Sequence, residues 1–266
     1  KISFYEYDIL LKEKINLKNQ GNDLVIIGDS SALNGIIPNQ IIKTTKLKTY
    51  NLALYAHNGI ESYKLLLKEY LKKNAPPKLV ILYFSAQSPN NWDKTTYEKS
   101  ILIFKYSDFK NKISYILKNP SSIIIITNRA IRATLRYKLF GSKKQKKFSK
   151  NLLIKLKDNK GFIESTANMS HNKCKFKYSN FKNESLIKNV KSFKSNFSKI
   201  KIKIYLAPIL NCNEKKYEYL TFFESIIDNE VYYMNKKYFN DFSHLNIEGA
   251  IKNSNLFSQW LLREVN

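Results

Sequence analysis

Leu24-Val25-Ile26-Ile27-Gly28-Asp29-Ser30-Ser31 decides how the rest of the chain is read. Four consecutive apolar residues, three of them β-branched, mark a strand covered on both faces. The run stops at Gly28-Asp29-Ser30, and a helix can start from Ser31. A buried strand that ends so hands a serine to the mouth of a parallel sheet. Strand and helix signals then alternate. Lys48–Leu54 is a second strand candidate, Ile60–Lys73 carries apolar residues near helical spacing before Pro76-Pro77, and Leu79–Phe84 is a third, all-apolar strand. Alternation at short intervals implies crossover connections and a parallel sheet. The pattern resumes with Ile202–Ala207 as a fourth strand, Lys215–Ile227 as a helix, Glu230–Met234 as a short fifth strand and Asn246–Arg263 as a closing helix.

The centre reads differently. Across residues 90–198 the strand signal fades, apart from Ile123–Ile126, which suits either a strand or a buried helix. This stretch is expected to be a mostly helical insertion within a single domain spanning 1–266. Residues 1–20 read as an amphipathic lead-in, and Asn183–Lys199 as a helix.

Near the far end stands Asp241-Phe242-Ser243-His244. In an open parallel sheet, ligands sit at the carboxyl ends of the strands. Ser30 follows the first strand directly, while Asp241 and His244 fall between the last strand and the last helix, at the same edge. A serine hydroxyl is a poor nucleophile until a base removes its proton. His244 has the chemistry of that base, and Asp241 that of the group orienting it. The start of the helix after Ser30 offers N–H groups to an oxyanion. Two readings compete at Ser30: nucleophile, or helix N-cap. Ser31 is an alternative nucleophile, and Asp29 is expected to shape the turn.

Gly28-Asp29-Ser30 after an apolar strand, with Asp241-x-x-His244 before a C-terminal helix, resembles the SGNH (GDSL) hydrolase superfamily. The resemblance covers residues 22–90 and 200–263. It implies a three-layer α/β/α fold with a flavodoxin-like parallel sheet of about five strands, and ester chemistry through an acyl-enzyme without metal or organic cofactor. Two family elements depart. The oxyanion glycine expected after the second strand is replaced by Asn51-Leu52-Ala53-Leu54-Tyr55-Ala56-His57-Asn58-Gly59, where the Ala56 N–H can serve and Asn58 or Gly59 are alternatives. The Gly-x-Asn-Asp after the third strand is replaced by Phe84-Ser85-Ala86-Gln87-Ser88-Pro89-Asn90-Asn91, where Ser85, Gln87 or Asn90 are candidate donors. With Tyr50-Asn51-Leu52-Ala53, these departures resemble the branch that modifies cell-envelope glycans: alginate and peptidoglycan O-acetylation proteins and the D-alanine transfer protein of teichoic acid synthesis. The branch implies a polysaccharide substrate, an acyl donor, a membrane-bound acyltransferase partner and an extracytoplasmic location.

Composition bounds the alternatives. The 266 residues hold 46 Lys and Arg against 21 Asp and Glu, a formal net charge of +25. That balance favours anionic partners, although biased base composition also accounts for a chain crowded with Lys, Asn and Ile. Arg129–Lys150 contains no acid and interleaves aromatics. It reads either as a solvated face or as a surface meeting lipid headgroups or an acidic glycan. Nucleic acid ranks last as a partner, because no helix-turn-helix, zinc-finger or RNA-recognition pattern is evident. His57 reads as a loop residue or as part of the pocket rim, and His171 as solvated. Three histidines and two cysteines, Cys174 and Cys212, leave little material for a metal site, though the cysteines suffice for one bridge. Trp260 reads as core, and Trp92 as a loop residue able to stack on a sugar. Opening on Lys1, the sequence is expected to be a processed or truncated form; it holds no membrane-length apolar run, and a membrane tether in a segment absent from it is what the resemblance to the envelope branch implies.

Overall fold

A computed structural model of the chain describes residues 4–55, 59–92, 94–140, 142–165, 183–211 and 223–265. The fold is mixed α/β. Its centre is a parallel sheet of β1 (Leu24–Gly28), β2 (Thr49–Asn51), β3 (Leu79–Phe84) and β4 (Lys201–Leu206), in the spatial order β2-β1-β3-β4. β1 pairs with β3 over its whole length, from Leu24 opposite Leu79 to Gly28 opposite Tyr83. Every residue of β1, β2 and β3 is buried. That is why β1 and β3 run continuously apolar instead of alternating.

The order places a switch point between β1 and β3, because the chain leaves β1 to one side for β2 and returns on the other for β3. Crevices for ligands form at the carboxyl ends of such strands. Gly28 is needed there, since a Cβ at this position would lie 1.8 Å from the Tyr83 carbonyl oxygen.

The helices pack in two sets. α2 (Ser30–Gly35), α3 (Pro38–Thr45) and the last helix, α10 (Ile247–Val265), form one, with α10 against both of the others. The other set comprises α1 (Phe4–Ile15), α4 (Gly59–Leu71), α5 (Tyr97–Tyr106), α6 (Phe109–Lys118), α7 (Ser121–Phe140), α8 (Ser142–Asp158) and α9 (Asn183–Asn196). α10 is tied to the end of α2 by polar side chains buried in the apolar layer. Asn253 Nδ2 donates to the Gly35 carbonyl at 2.7 Å and to the Tyr83 hydroxyl at 2.9 Å, and Ser254 Oγ accepts from Ile37 N–H at 2.9 Å.

Three sequence expectations are corrected. Glu230–Met234 does not supply a fifth strand to the sheet. Only Tyr233–Met234 (β6) is strand, and it pairs in parallel with Ile209–Leu210 (β5) in a separate two-stranded ladder. Pro208, which has no N–H, separates β4 from β5. The β4 edge is instead closed by side chains: Asp228 Oδ2 accepts from Ile204 N–H at 2.6 Å and Asn229 Oδ1 from Leu206 N–H at 2.8 Å. Of the two readings of Ile123–Ile126 the helical one holds, since the run lies within α7, but the helix is not buried there: Ile123 and Ile124 face solvent. Trp92 is not free to stack on a sugar. It is 2% exposed and meets Tyr63 and Phe84 edge to face. Trp260 does lie in the core. The Lys215–Ile227 helix expectation falls mostly outside the described residues, as do Cys174, Cys212 and His171.

The central stretch is joined to the sheet at a point its sequence does not advertise. After α8 the chain runs as a strap from Lys160 to Ser165. Lys160 carbonyl accepts from Asn51 N–H at 2.9 Å, and Ile163 N–H donates to Leu33 carbonyl at 3.2 Å. Asn240 Nδ2 reaches the Ser165 carbonyl at 2.9 Å. Gly161 has φ +89°, and a Cβ there would meet the Asn51 carbonyl oxygen at 2.0 Å. The strap therefore lies flat on β2 only because residue 161 is glycine.

Candidate active site

The turn after β1 is built by Asp29. Its backbone is extended, and its side chain caps α2 by accepting from Ser31 N–H at 2.8 Å. The same carboxylate accepts from the Ser31 hydroxyl, from Ser85 N–H at 3.4 Å and from the Ser88 hydroxyl. Asp29 is 1% exposed, so these donors satisfy a carboxylate withdrawn from water. Asp29 shapes the turn, as the sequence suggests, and also fastens it to the loop after β3. Ser31 is buried in this cage, leaving Ser30 as the hydroxyl that faces outward from the turn.

Ser30 Oγ lies 2.8 Å from His244 Nε2, across 214 positions of sequence. His244 Nδ1 lies 2.6 Å from Asp241 Oδ2. An ionised carboxylate only accepts, so Nδ1 carries the hydrogen and Nε2 is left to accept the Ser30 proton. The Asp-x-x-His spacing works through the backbone. Asp241 Oδ1 accepts from Ser243 N–H and His244 N–H, both at 2.7 Å, which folds the loop back so that Oδ2 meets the imidazole. Asn240 N–H to His244 carbonyl, at 2.8 Å, closes the loop, and a bridge between Phe239 and Leu245 closes its base.

Asp241 is 5% exposed. Burial alone would raise its pKa. The imidazole hydrogen bond and charge, with the two N–H donors, outweigh that and hold it below the ordinary carboxylate value. It remains ionised across the neutral range, as an orienting group must. The His244 side chain is about one quarter exposed, so the constellation opens to solvent on one side.

The candidate oxyanion donors divide. As the first residue of α2, Ser30 has no carbonyl one turn back, which leaves its N–H for another acceptor. Ala56, His57 and Asn58 lie outside the described residues, as does the side chain of Asn90. The approach to that loop is described: Leu52 N–H donates to Ile26 carbonyl at 2.7 Å and Leu54 N–H to Gly28 carbonyl at 3.1 Å. The chain therefore leaves β2 alongside the Gly28–Ser30 turn. Ser85 belongs to the Asp29 cage. Ser88 gives its one hydroxyl proton to Asp29, so Ser85 gives its own to Ser88 Oγ, 2.8 Å away, and has none left for an oxyanion. Gln87 is buried in the same loop.

Sequence reasoning missed Lys14. Its side chain is fully buried, and its Nζ donates to three carbonyls: Asn51 at 2.8 Å, Gly161 at 3.1 Å and Ala53. Burial pushes the ammonium well below its ordinary pKa, whereas three acceptors match the three donors of the charged form. One side chain thus joins α1, the loop after β2 and the strap. A Lys at an otherwise apolar position (between Leu10, Leu11 and Ile15 on the buried face of α1) was the available signal. Asn51 acts similarly on α2, donating through Nδ2 to Ala32 and Ile36 carbonyls at 2.8 and 3.2 Å.

A cavity of about 430 Å³ opens at the other, amino-terminal edge of the sheet, lined by Lys48, Lys157 and Lys160 among others. It is separate from Ser30. Among the described residues, no group of three or more His, Cys, Asp or Glu is arranged to hold a metal ion. No protein-family model matches this chain, and no curated protein matches it significantly.

Proposed function

We propose that this protein is an SGNH-type serine esterase or O-acyltransferase, with the three-layer α/β/α fold of that superfamily, acting on O-acyl groups of an extracytoplasmic polysaccharide. The observation that carries the chemistry is the hydrogen-bonded series Ser30 Oγ, His244 Nε2, His244 Nδ1 and Asp241 Oδ2, with separations of 2.8 and 2.6 Å at the two links. The strand order with its switch point beside Ser30 is consistent with the fold assignment. The glycan, the acyl donor and a membrane-bound acyltransferase partner rest on the resemblance of the Gly28-Asp29-Ser30, Tyr50–Ala53 and Asp241-x-x-His244 motifs.

In the proposed reaction Ser30 Oγ attacks the acyl carbonyl carbon while its proton passes to His244 Nε2. The carbonyl oxygen becomes an oxyanion, received by the Ser30 N–H and by an N–H of the loop after β2, for which Ala56 is the candidate. Collapse breaks the bond to the leaving alkoxide, which takes the proton from His244 and leaves an acyl ester on Ser30. Water or a sugar hydroxyl then gives its proton to His244 and attacks that ester. The products are a carboxylic acid or a new ester, with the Ser30 hydroxyl restored. Asp241 stabilises the imidazolium in both halves. The test is turnover of an activated acetyl ester: the parent protein hydrolyses it, and Ser30→Ala loses turnover while keeping its thermal unfolding midpoint. Equal turnover in the two proteins overturns the assignment.

A second reading has one observation in its favour. The loop after β3 lacks the family's Gly-x-Asn-Asp and spends the Ser85 proton internally, which suits a non-catalytic glycan-binding or scaffold member. A fluorophosphonate probe separates the readings, because only an activated serine is labelled.

A further inference from the structure

α6 is built inside out. Asp108 caps it, accepting from Asn111 N–H at 2.8 Å, and its fixed contact with the body is polar: Tyr115 OH lies 3.0 Å from Ser100 Oγ on α5. None of its residues is buried. At 100° per residue, Phe109, Ile113 and Leu117 form a stripe on the face away from Tyr115. They are 78%, 41% and 77% exposed. α7, which packs on α6, repeats the pattern: Ile123, Ile124 and Ile131 share one face at 46%, 63% and 53% exposure, while Ile125 and Ile126 turn to the core. An amphipathic helix of a globular domain turns such a stripe inward.

Beside the α6 stripe stand Lys110, Lys112 and Lys118, and the only acid next to it in sequence is the capping Asp108. From Phe109 to Lys157 the sequence holds fourteen Lys and Arg and no Asp or Glu. We infer that α6 and the first turns of α7 dock this protein on an anionic lipid surface, with the six apolar side chains entering the headgroup–acyl boundary and the surrounding lysines meeting lipid phosphates. Charge complementarity favours an anionic bilayer over an apolar protein groove, because the stripe of α6 is flanked by Lys110, Lys112 and Lys118 in a stretch of the sequence with a large excess of Lys and Arg. The outward aliphatic side chains favour it over a nucleic acid or acidic polymer, for which they would be a liability. Among the described residues no helix is long and apolar enough to cross a membrane, so the docking inferred for these helices is peripheral. The inference does not depend on Ser30 chemistry.

Sedimentation with phosphatidylcholine vesicles, with and without about a third phosphatidylglycerol, tests it. The parent protein is expected to pellet with the anionic vesicles alone. Phe109→Ser/Leu117→Ser/Ile124→Ser, which changes no charge and no buried group, is expected to lose at least tenfold in apparent affinity. Phe109→Trp reports insertion directly by a blue-shifted emission quenched by brominated lipid, read as the difference from the parent, whose Trp92 and Trp260 are buried. Ser30→Ala is expected to bind as the parent does, which separates this inference from the catalytic one. Vesicle binding unchanged in the triple variant, no added blue-shifted emission from Phe109→Trp on vesicles, or binding to heparin with none to vesicles overturns the inference.

Discussion

The two flanks of this chain and its helical centre obey opposite rules. In the flanks, four buried polar side chains tie the structure together: Asp29, Asn51, Asp241 and Asn253 each bridge segments distant in sequence or close a loop on itself. In the centre, apolar side chains of α6 and α7 stand in solvent, those of α6 beside Lys110, Lys112 and Lys118. The first arrangement fixes one hydroxyl beside one imidazole. The second costs solvation free energy unless something covers it, so it is the region whose partner is to be sought outside the chain.

Removing the central serine gives the largest expected effect. Ser30→Ala is expected to lower kcat for an activated ester by about 10⁴- to 10⁶-fold while shifting stability by less than about 0.5 kcal/mol, because Ser30 is partly exposed and Asp29, not Ser30, caps α2. Loss of stability with unchanged kcat would invert the comparison between function and scaffold at this turn.

Lys14→Met is expected next in size. It leaves three carbonyls without their donor and should destabilise the protein by about 3 kcal/mol or more, read from denaturant midpoints. Its pH signature is distinctive. The folded-state pKa of Lys14 lies well below the ordinary 10.5, so between those values the unfolded chain binds one proton more than the folded one. The Lys14 contribution makes stability rise with pH through that window. The Met variant should lose that component of the slope, and an unchanged slope would show the amine to be equally protonated in both states.

Asp29→Ala sharpens the contrast from the side of the Gly28–Ser30 turn. It strips the acceptor from Ser31, Ser85 and Ser88 together, and about 2 kcal/mol of destabilisation is expected. A fall in kcat is expected with it, because the turn that presents Ser30 loses its tie to the loop after β3. The smallest effect is expected in the centre: Phe109→Ser/Leu117→Ser/Ile124→Ser should leave the unfolding midpoint nearly where it is in the parent, since these side chains are exposed in the folded state as well as in the unfolded one. A large loss of stability would show that the stripe packs within the protein.

Sequence legibility follows the same division. β1, β3, β4 and the last helix are readable because burial leaves an apolar run or a periodic apolar face, and the two motifs are readable because each is local. Asp29 caps two residues ahead and Asp241 folds back over three, so their spacing survives in one dimension. What joins distant segments leaves weaker marks. Asp228 and Asn229 closing the β4 edge look like ordinary turn residues, so the sequence puts the fifth strand one ladder away from where pairing occurs. The strap at Lys160–Ser165 has no periodicity of its own and is held by main-chain bonds that any sequence offers, Gly161 excepted. Ile123–Ile126 leaves strand and helix open because four β-branched residues carry no period, and Trp92 misleads because its packing against Tyr63 and Phe84 is not written in its loop sequence.

The most direct measurement is mass-spectrometric mapping of a fluorophosphonate adduct on the intact protein. A single adduct on the peptide bearing Ser30, abolished in Ser30→Ala and strongly reduced in His244→Ala, is the expected result. An unlabelled Ser30 in the folded parent protein, or labelling indifferent to the loss of His244, would contradict the claim that the imidazole activates that hydroxyl.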